Sequence, residues 1–450
     1  MARENKPRIV IAGAGHGGLI AGRILARAGF PVEIIEKSNR GNLGWDWEDN
    51  FNLTAFKATG SPLPPASQYY DTPRYTFVSP DLSTRITASH PPERREICME
   101  RKTLIEKLIL EAESAGVALA FNTLVEGPII EKGAVTGVDT NAGPVHGDII
   151  IDSAGIDSPV RLGLPNDYRV VKEMGRGHVF HTYRAYHERT LKDPVKESTF
   201  NVHLRFNGML GITWYRPVPG CIDILAGQIH PFPKNGLEGI VNAMNDVYND
   251  IGKEVLRGGG ITRIPVRRPL PLFVGNGYAA VGDAACMTVP ITGSGIEISM
   301  RAGALLARTI IKQSVNDDPR KVESLWKYQV QFTKEMGSIL HGIDYLKSYI
   351  LSLSLEKINF VFRKRLITAG ELSSFMVGSG IQMGAWALIQ KLIKGFSKLG
   401  FLLDLKRAVD TVSRVQKLAA SIPRTHDGIE ISKWANAIQE HFDPLEQSMQ

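Results

Sequence analysis

The first forty residues carry two continuous apolar runs separated by glycines and a helical repeat. Arg8-Ile-Val-Ile-Ala12 predicts a buried strand, Gly13-Ala-Gly15-His-Gly17-Gly18 a turn, the alanine-rich stretch to about Ala28 a helix, and Val32-Glu-Ile-Ile-Glu36 a second strand. Together they make a βαβ unit. Residues 102–116 have helical spacing, Ile129 to Asp139 reads as a hairpin around Lys132-Gly133, and Asp148-Ile-Ile-Ile-Asp152 as a buried strand. After Pro165 the pattern changes to longer alternating strands, such as Thr199–Phe206 and Ile222–Gln228, which predict an antiparallel sheet. A strand of the first kind returns at Tyr278-Ala-Ala-Val-Gly-Asp283, followed by a helix from about Gly295 to Lys312. Beyond about residue 320 only helical spacing remains, with an uncharged run over 372–390.

The expected architecture is α/β. A discontinuous Rossmann-like domain (1–65, 100–164 and 272–320) would carry an inserted antiparallel substrate domain (66–99 and 165–271), and a helical C-terminal region (321–450) would follow. A length of 450 residues suits two or three domains, which excludes disulfide-stapled miniproteins. With 43% hydrophobic and 22% charged residues, neither a disordered chain nor a polytopic membrane protein fits. The three cysteines, Cys98, Cys221 and Cys286, are too far apart for a zinc or iron–sulfur spacing, and the histidines His178, His181, His187 and His203 give no metal pattern. No apolar leader precedes the first strand, so the cytoplasm is the expected address.

The formal net charge of +7 is local: residues 345–420 hold 12 Lys and Arg against 4 Asp and Glu, a balance of +8. In 391–407 the basic residues Lys391, Lys394, Lys398, Lys406 and Arg407 alternate with Leu392, Ile393, Phe396, Leu399, Phe401 and Leu402. This pattern predicts either peripheral docking at the inner face of a membrane or helices packed over a cavity. Serines, glycines and glutamines within 372–390 argue against a spanning helix there. Nothing in the chain points to a nucleic-acid partner.

The chemistry sits in two glycine motifs. Gly13, Gly15 and Gly18 form G-x-G-x-x-G between a strand and a helix, the context in which glycines allow a tight turn, close approach of a pyrophosphate and helix–strand packing. The helix N-terminus adds a positive dipole end. Glu36, 18 residues after Gly18, can accept bonds from ribose hydroxyls and would repel a 2′-phosphate, which favours FAD or NAD over NADP. FAD is favoured over NAD by Gly282-Asp283-Ala-Ala285 followed by Pro290-Ile-Thr-Gly293-Ser-Gly295-Ile296. There an Asp at a strand end can hold a ribityl hydroxyl, and a helix N-terminus can face the negative charge that develops on reduction.

These motifs resemble the FAD-dependent oxidoreductases of the geranylgeranyl reductase group, relatives of para-hydroxybenzoate hydroxylase, over roughly residues 6–335. The resemblance implies FAD contacts from Gly13, Ala14, Gly15, Gly17, Gly18, Glu36, Lys37, Arg101, Val125, Gly155, Gly282, Asp283, Gly293, Gly295 and Ile296. It also implies a lipid cavity lined by the Gly211-Ile-Thr-Trp214-Tyr-Arg-Pro217 stretch, with Trp214 and Pro217 as substrate residues. Ala154-Gly155 stands where the hydroxylases carry Asp-Gly, the Trp-x-Trp-x-Ile-Pro signature of flavin halogenases is absent, and no cysteine cluster of the quinone reductases follows Cys286.

Trp45-Asp46-Trp47-Glu48-Asp49 reads either as an aromatic wall with an acid, Asp46 and Trp47 then being catalytic candidates, or as a surface loop with capping acids. Cys286 is a third candidate or a small buried hydrophobe. The leading functional expectation is an FAD-dependent reductase of C=C bonds in an apolar, isoprenoid-like lipid, drawing electrons from NAD(P)H or ferredoxin. A monooxygenase, a quinone-linked dehydrogenase and a non-catalytic flavin-binding, membrane-docking protein are the rivals.

Overall fold

The computed structural model describes residues 6–88, 95–175, 177–191, 198–376 and 398–448. Its nucleotide-type sheet has six strands in the spatial order Val274–Gly275, Tyr278–Ala280, Ile149–Asp152, Ile9–Ala12, Val32–Ile35 and Ala118–Ala120. All pairs are parallel except the outermost one, between Val274–Gly275 and Tyr278–Ala280. Ile9, Val10, Ile11, Ile149, Ile150 and Ile151 have no exposed surface, as expected of parallel strands covered on both faces. The helix His16–Arg27 turns Leu19, Ile20 and Leu25 into this core. The helix Ile296–Asn316 crosses it so closely that a Cβ on Gly303 would lie 2.1 Å from the Gly17 carbonyl oxygen.

The second sheet has seven strands, ordered Ile251–Pro265, Val179–Arg189, Cys221–Gln228, Gly211–Val218, Phe200–Leu204, Tyr75–Val78 and Arg85–Ala88. The α/β class and the large second sheet match the sequence expectation. One detail differs: Phe200–Leu204 runs parallel to Tyr75–Val78, because these two strands come from distant parts of the chain rather than from one hairpin. Glu48–Asn52, Glu96–Glu100 and Tyr69–Asp71 form a separate small sheet, tied to the seven-stranded one by the bond from Arg216 to Glu48 at 3.1 Å. The hairpin is formed by Val125–Glu131 and Ala134–Thr140.

After residue 320 the described chain is helical, including Val322–Phe332, Ser338–Ser352, Leu355–Arg363, Leu399–Ala420 and Gly428–Gln439. Tyr75, Phe77, Phe200 and Val202 of the second sheet share one apolar cluster with Phe360, Phe362, Leu366, Phe401 and Leu402 of these helices. Each such side chain contributes about 1.5–3 kcal/mol of burial, so this cluster holds helices and sheet together. It also corrects part of the docking expectation, since Phe401 and Leu402 face inward while Leu399 and Leu403 are exposed. Lys391, Leu392, Ile393, Lys394 and Phe396 lie outside the described residues. Among the described residues no helix is long and apolar enough to cross a membrane.

Candidate active site

The first motif builds a cradle from backbone. Gly13 adopts φ +88, and a Cβ there would lie 2.6 Å from the Ser153 carbonyl oxygen. A Cβ on Gly15 would lie 2.6 Å from Ser153 Oγ, and one on Gly18 2.8 Å from Ser153 Cβ. Ser153 also receives the Gly18 N–H at 3.2 Å, while Ser299 receives that of Gly17 at 3.1 Å. Gly17 thus serves helix packing, being pressed against Val281 and Ser299. Glu36 is buried, accepting the Ala14 amide at 2.9 Å and the Ser38 amide at 2.8 Å. Across the turn, Gly155 has φ +87 and open space where its Cβ would stand. Lys37 is exposed, and Val125 is buried at the start of the hairpin.

The second motif closes the other side. Gly282 has φ +70, and Gly295 precedes the helix Ile296–Asn316 with its Cβ position 3.4 Å from Asp283 Oδ1. The Asp283 carboxylate has no hydrogen-bond partner among the described residues. Burial pushes its pKa up to about 6, opposed by the charge of Arg101. Arg101 opens the helix Arg101–Ser114 and forms a bidentate pair with Asp49, with one bond of 2.8 Å. Its guanidinium also lies 5.7 Å from the Trp47 ring centre. His16 stands inside the glycine motif and was not singled out from the sequence. Burial, helped by the charge of Arg101 and opposed by that of Asp49, lowers its pKa to about 4, so the ring is neutral. Its buried Nε2 has no partner.

A cavity of about 320 Å³ extends from Gly293–Ile296 between the seven-stranded sheet and the C-terminal helices, as far as Leu402 and Val409. Its walls include Trp47, Phe180, Ile212, Trp214, Leu351 and Phe362. Of residues 45–49, Trp47 and Asp49 line this cavity. Glu48–Asn52 is a strand, Trp47 is 5% exposed, and Trp45 stacks on it at 4.9 Å. Asp46 is not part of that wall: it is half exposed and lies 3.6 Å from Lys102 and 3.9 Å from Arg257. Trp214 lines the cavity and Pro217 does not. Cys286 is buried outside it, 3.9 Å from Met174 Sδ, and burial pushes its thiol up to about 11.

A buried charge network backs the wall. Arg184 pairs with Asp223 through bonds of 3.0 and 2.8 Å, and its guanidinium lies 4.9 Å from the Trp214 ring centre. Trp214 Nε1 donates to Asp223 at 3.3 Å. Arg216 is 3.6 Å from Asp223 and 3.1 Å from Glu48. Burial disfavours charge on Arg184, but Asp223 outweighs it and the guanidinium stays ionised.

These features define a Rossmann-type flavoprotein fold with an apolar chamber set against its nucleotide cradle. No protein-family model matches the chain. Among curated proteins it is similar to digeranylgeranylglycerophospholipid reductase of Methanoculleus marisnigri, 27% identical over 442 residues that span 91% of this chain and 100% of that protein. It is also similar to the Sulfolobus acidocaldarius protein of the same name, 22% identical over 445 residues that span 94% of this chain and 95% of that protein. In fold it is similar to a geranylgeranyl bacteriochlorophyll reductase-like protein from Thermoplasma acidophilum, with a TM-score of 0.70 at 16% identity, covering 90% of this chain and 99% of that one. The flavin-dependent brominase Bmp2 follows with a TM-score of 0.60 at 16% identity, covering 87% and 99%. The resemblance to geranylgeranyl reductase-like flavoproteins read from the motifs therefore holds.

Proposed function

We propose that this chain binds FAD and uses it to reduce C=C bonds of an apolar, isoprenoid-like lipid. The single observation that carries the reading is the apolar chamber opening on Gly293–Ile296. The cradle suits a dinucleotide with a flavin: an unpartnered Nε2 on His16, an open space at Gly155, an uncommitted Asp283 carboxylate and a helix N-terminus all face needs that FAD meets. Residues 1–65, 100–164 and 272–320 would hold the cofactor, and 66–99 with 165–271 would shape the substrate chamber beneath the helices of 321–450.

When bound and reduced, the flavin supplies hydride from N5. The protein's part is to bind, orient and keep dry. Glu36 would take the adenosine ribose, Gly13–Gly18 and Arg101 the pyrophosphate, Asp283 the ribityl chain, and the Ile296 helix the pyrimidine edge. Trp47 and Trp214 would hold the alkene side-on and exclude water. The proton for the second carbon would come from water or from Glu96, an acid that lines the chamber, rather than from Asp46, which does not, or from Asp49, whose carboxylate is paired with Arg101.

NAD(P)H or ferredoxin would supply the electrons, and docking on a membrane surface would give access to the lipid. Oxygen insertion is the competing chemistry, since FAD-dependent monooxygenases share this fold. Ala154 before Gly155 and the apolar walls favour reduction. The test is to release the cofactor from purified or reconstituted protein and to follow anaerobic reduction by NADH, NADPH and reduced ferredoxin separately. A protein that takes up no FAD contradicts the reading.

A further inference from the structure

Among the described residues five cationic side chains line the chamber: Arg101, Arg184, Arg205, Lys347 and Lys406. Four of them face a carboxylate. Arg101 pairs with Asp49, Arg184 with Asp223 at 2.8 Å, Lys347 with Asp344 at 2.8 Å, and Lys406 with Asp410 at 2.6 Å. Arg205 faces none among the described residues. Its Nη1 donates to the carbonyl oxygens of Leu351 at 3.3 Å and Leu353 at 3.2 Å, and its buried Nε has no partner. It also adopts φ 54, a left-handed backbone that a non-glycine residue holds only at a cost of order 1 kcal/mol. Tyr349 of the helix Ser338–Ser352 lines the same chamber, and its buried hydroxyl is likewise unpartnered.

Capping of the helix end at Leu351 accounts for one guanidinium nitrogen, because cations favour helix C-termini. It leaves the partly buried guanidinium without a counter-ion among the described residues, facing a chamber with mostly apolar walls, a place that an acidic group on a ligand can fill. We propose that Arg205 is a specificity-determining residue that pairs with an acidic group, phosphate or carboxylate, carried by the apolar substrate, with the Tyr349 hydroxyl donating to the same head. The planar guanidinium suits such a head through paired hydrogen bonds, and the apolar walls take the hydrocarbon. This rests on reading the chamber as the substrate site.

Binding without turnover tests it. Full-length FAD-loaded protein is titrated with geranylgeranyl monophosphate and with geranylgeraniol, following tryptophan fluorescence, and inorganic phosphate is added as competitor. The monophosphate should bind about tenfold more tightly than the alcohol, and millimolar phosphate should not displace it. Arg205→Met should erase that preference while alcohol affinity stays within about twofold, and Tyr349→Phe and Arg205→Lys should each reduce it by about threefold. Equal binding of both ligands by wild type overturns the inference, as does a preference that survives in Arg205→Met or in the two milder variants. An Arg205→Met protein that merely melts earlier with its preference intact makes Arg205 a helix cap only. In those cases the reductase reading stands, whereas failure of both ligands to bind would remove the substrate site itself.

Discussion

The nucleotide cradle and the apolar chamber meet at Gly293–Ile296, yet they are made of different material. The cradle is backbone: its shape is set where a Cβ at Gly13, Gly15 or Gly18 would strike Ser153, and its acceptors and donors lie within two short motifs. The chamber is side chain, assembled from strands near 47, 75, 180, 202, 212 and 264 and from helices beyond 338. A site of the first kind tolerates no added carbon but little else matters to it. One of the second kind tolerates many single changes to its lining and depends on the buried charges that fix its walls.

The largest expected effect lies on the chamber side. Arg184→Met leaves Asp223, which has no exposed surface, with Arg216 at 3.6 Å as its one cation among the described residues and the Trp214 indole N–H at 3.3 Å, and should cost about 3 kcal/mol in urea unfolding. A loss below about 1 kcal/mol would mean that the network does not hold the wall. Nearly as large is Gly15→Val in the cradle, expected to weaken FAD binding about 100-fold, or about 2.7 kcal/mol, with the chamber intact. Retention of affinity would break the contrast.

Third is a pH effect in cofactor-free protein. Asp283 has a folded pKa of about 6 against an ordinary 3.8, so the folded state binds the proton more tightly. Its stabilising share is present below pH 3.8 and is lost as pH rises through 6, at most about 2 kcal/mol once the intermediate exposure of its side chain is allowed for. Asp283→Asn should flatten that fall, and an unchanged profile would contradict the shift. Filling the chamber by Ile212→Trp should raise the substrate KM about tenfold while FAD affinity is unchanged, a split that steady-state kinetics and flavin titration read separately. Smallest is Lys398→Glu. Lys398 is already paired with Glu356, so binding to anionic vesicles should weaken by less than about 1 kcal/mol.

The same contrast explains what could be read in advance. The βαβ unit, both glycine turns and Glu36 were legible because backbone constraints write themselves locally, as glycines at fixed offsets from apolar runs. Trp214 was reached through a motif and Trp47 through its aromatic neighbour, yet Asp46 was not separated from Asp49. Only the pleat of Glu48–Asn52, invisible in so polar a run, turns Asp49 toward Arg101. Arg184, Arg205 and Arg216 escaped notice because a charge in an alternating strand reads as a solvent-facing position. Their partners lie 39, 146 and 168 residues away. His16 had a signal, a titratable side chain within a glycine motif, that composition alone did not weigh.

The most direct measurement is a single turnover under strict anaerobiosis. FAD-loaded protein is reduced with one equivalent of dithionite and mixed with a geranylgeranylated ether lipid, while the flavin absorbance is followed and the lipid is then analysed by mass spectrometry. The expected result is reoxidation of the flavin in step with the addition of a pair of hydrogens to a C=C bond. Flavin that stays reduced with the lipid, but is reoxidised by oxygen with an oxygen atom incorporated into the lipid, would contradict the account.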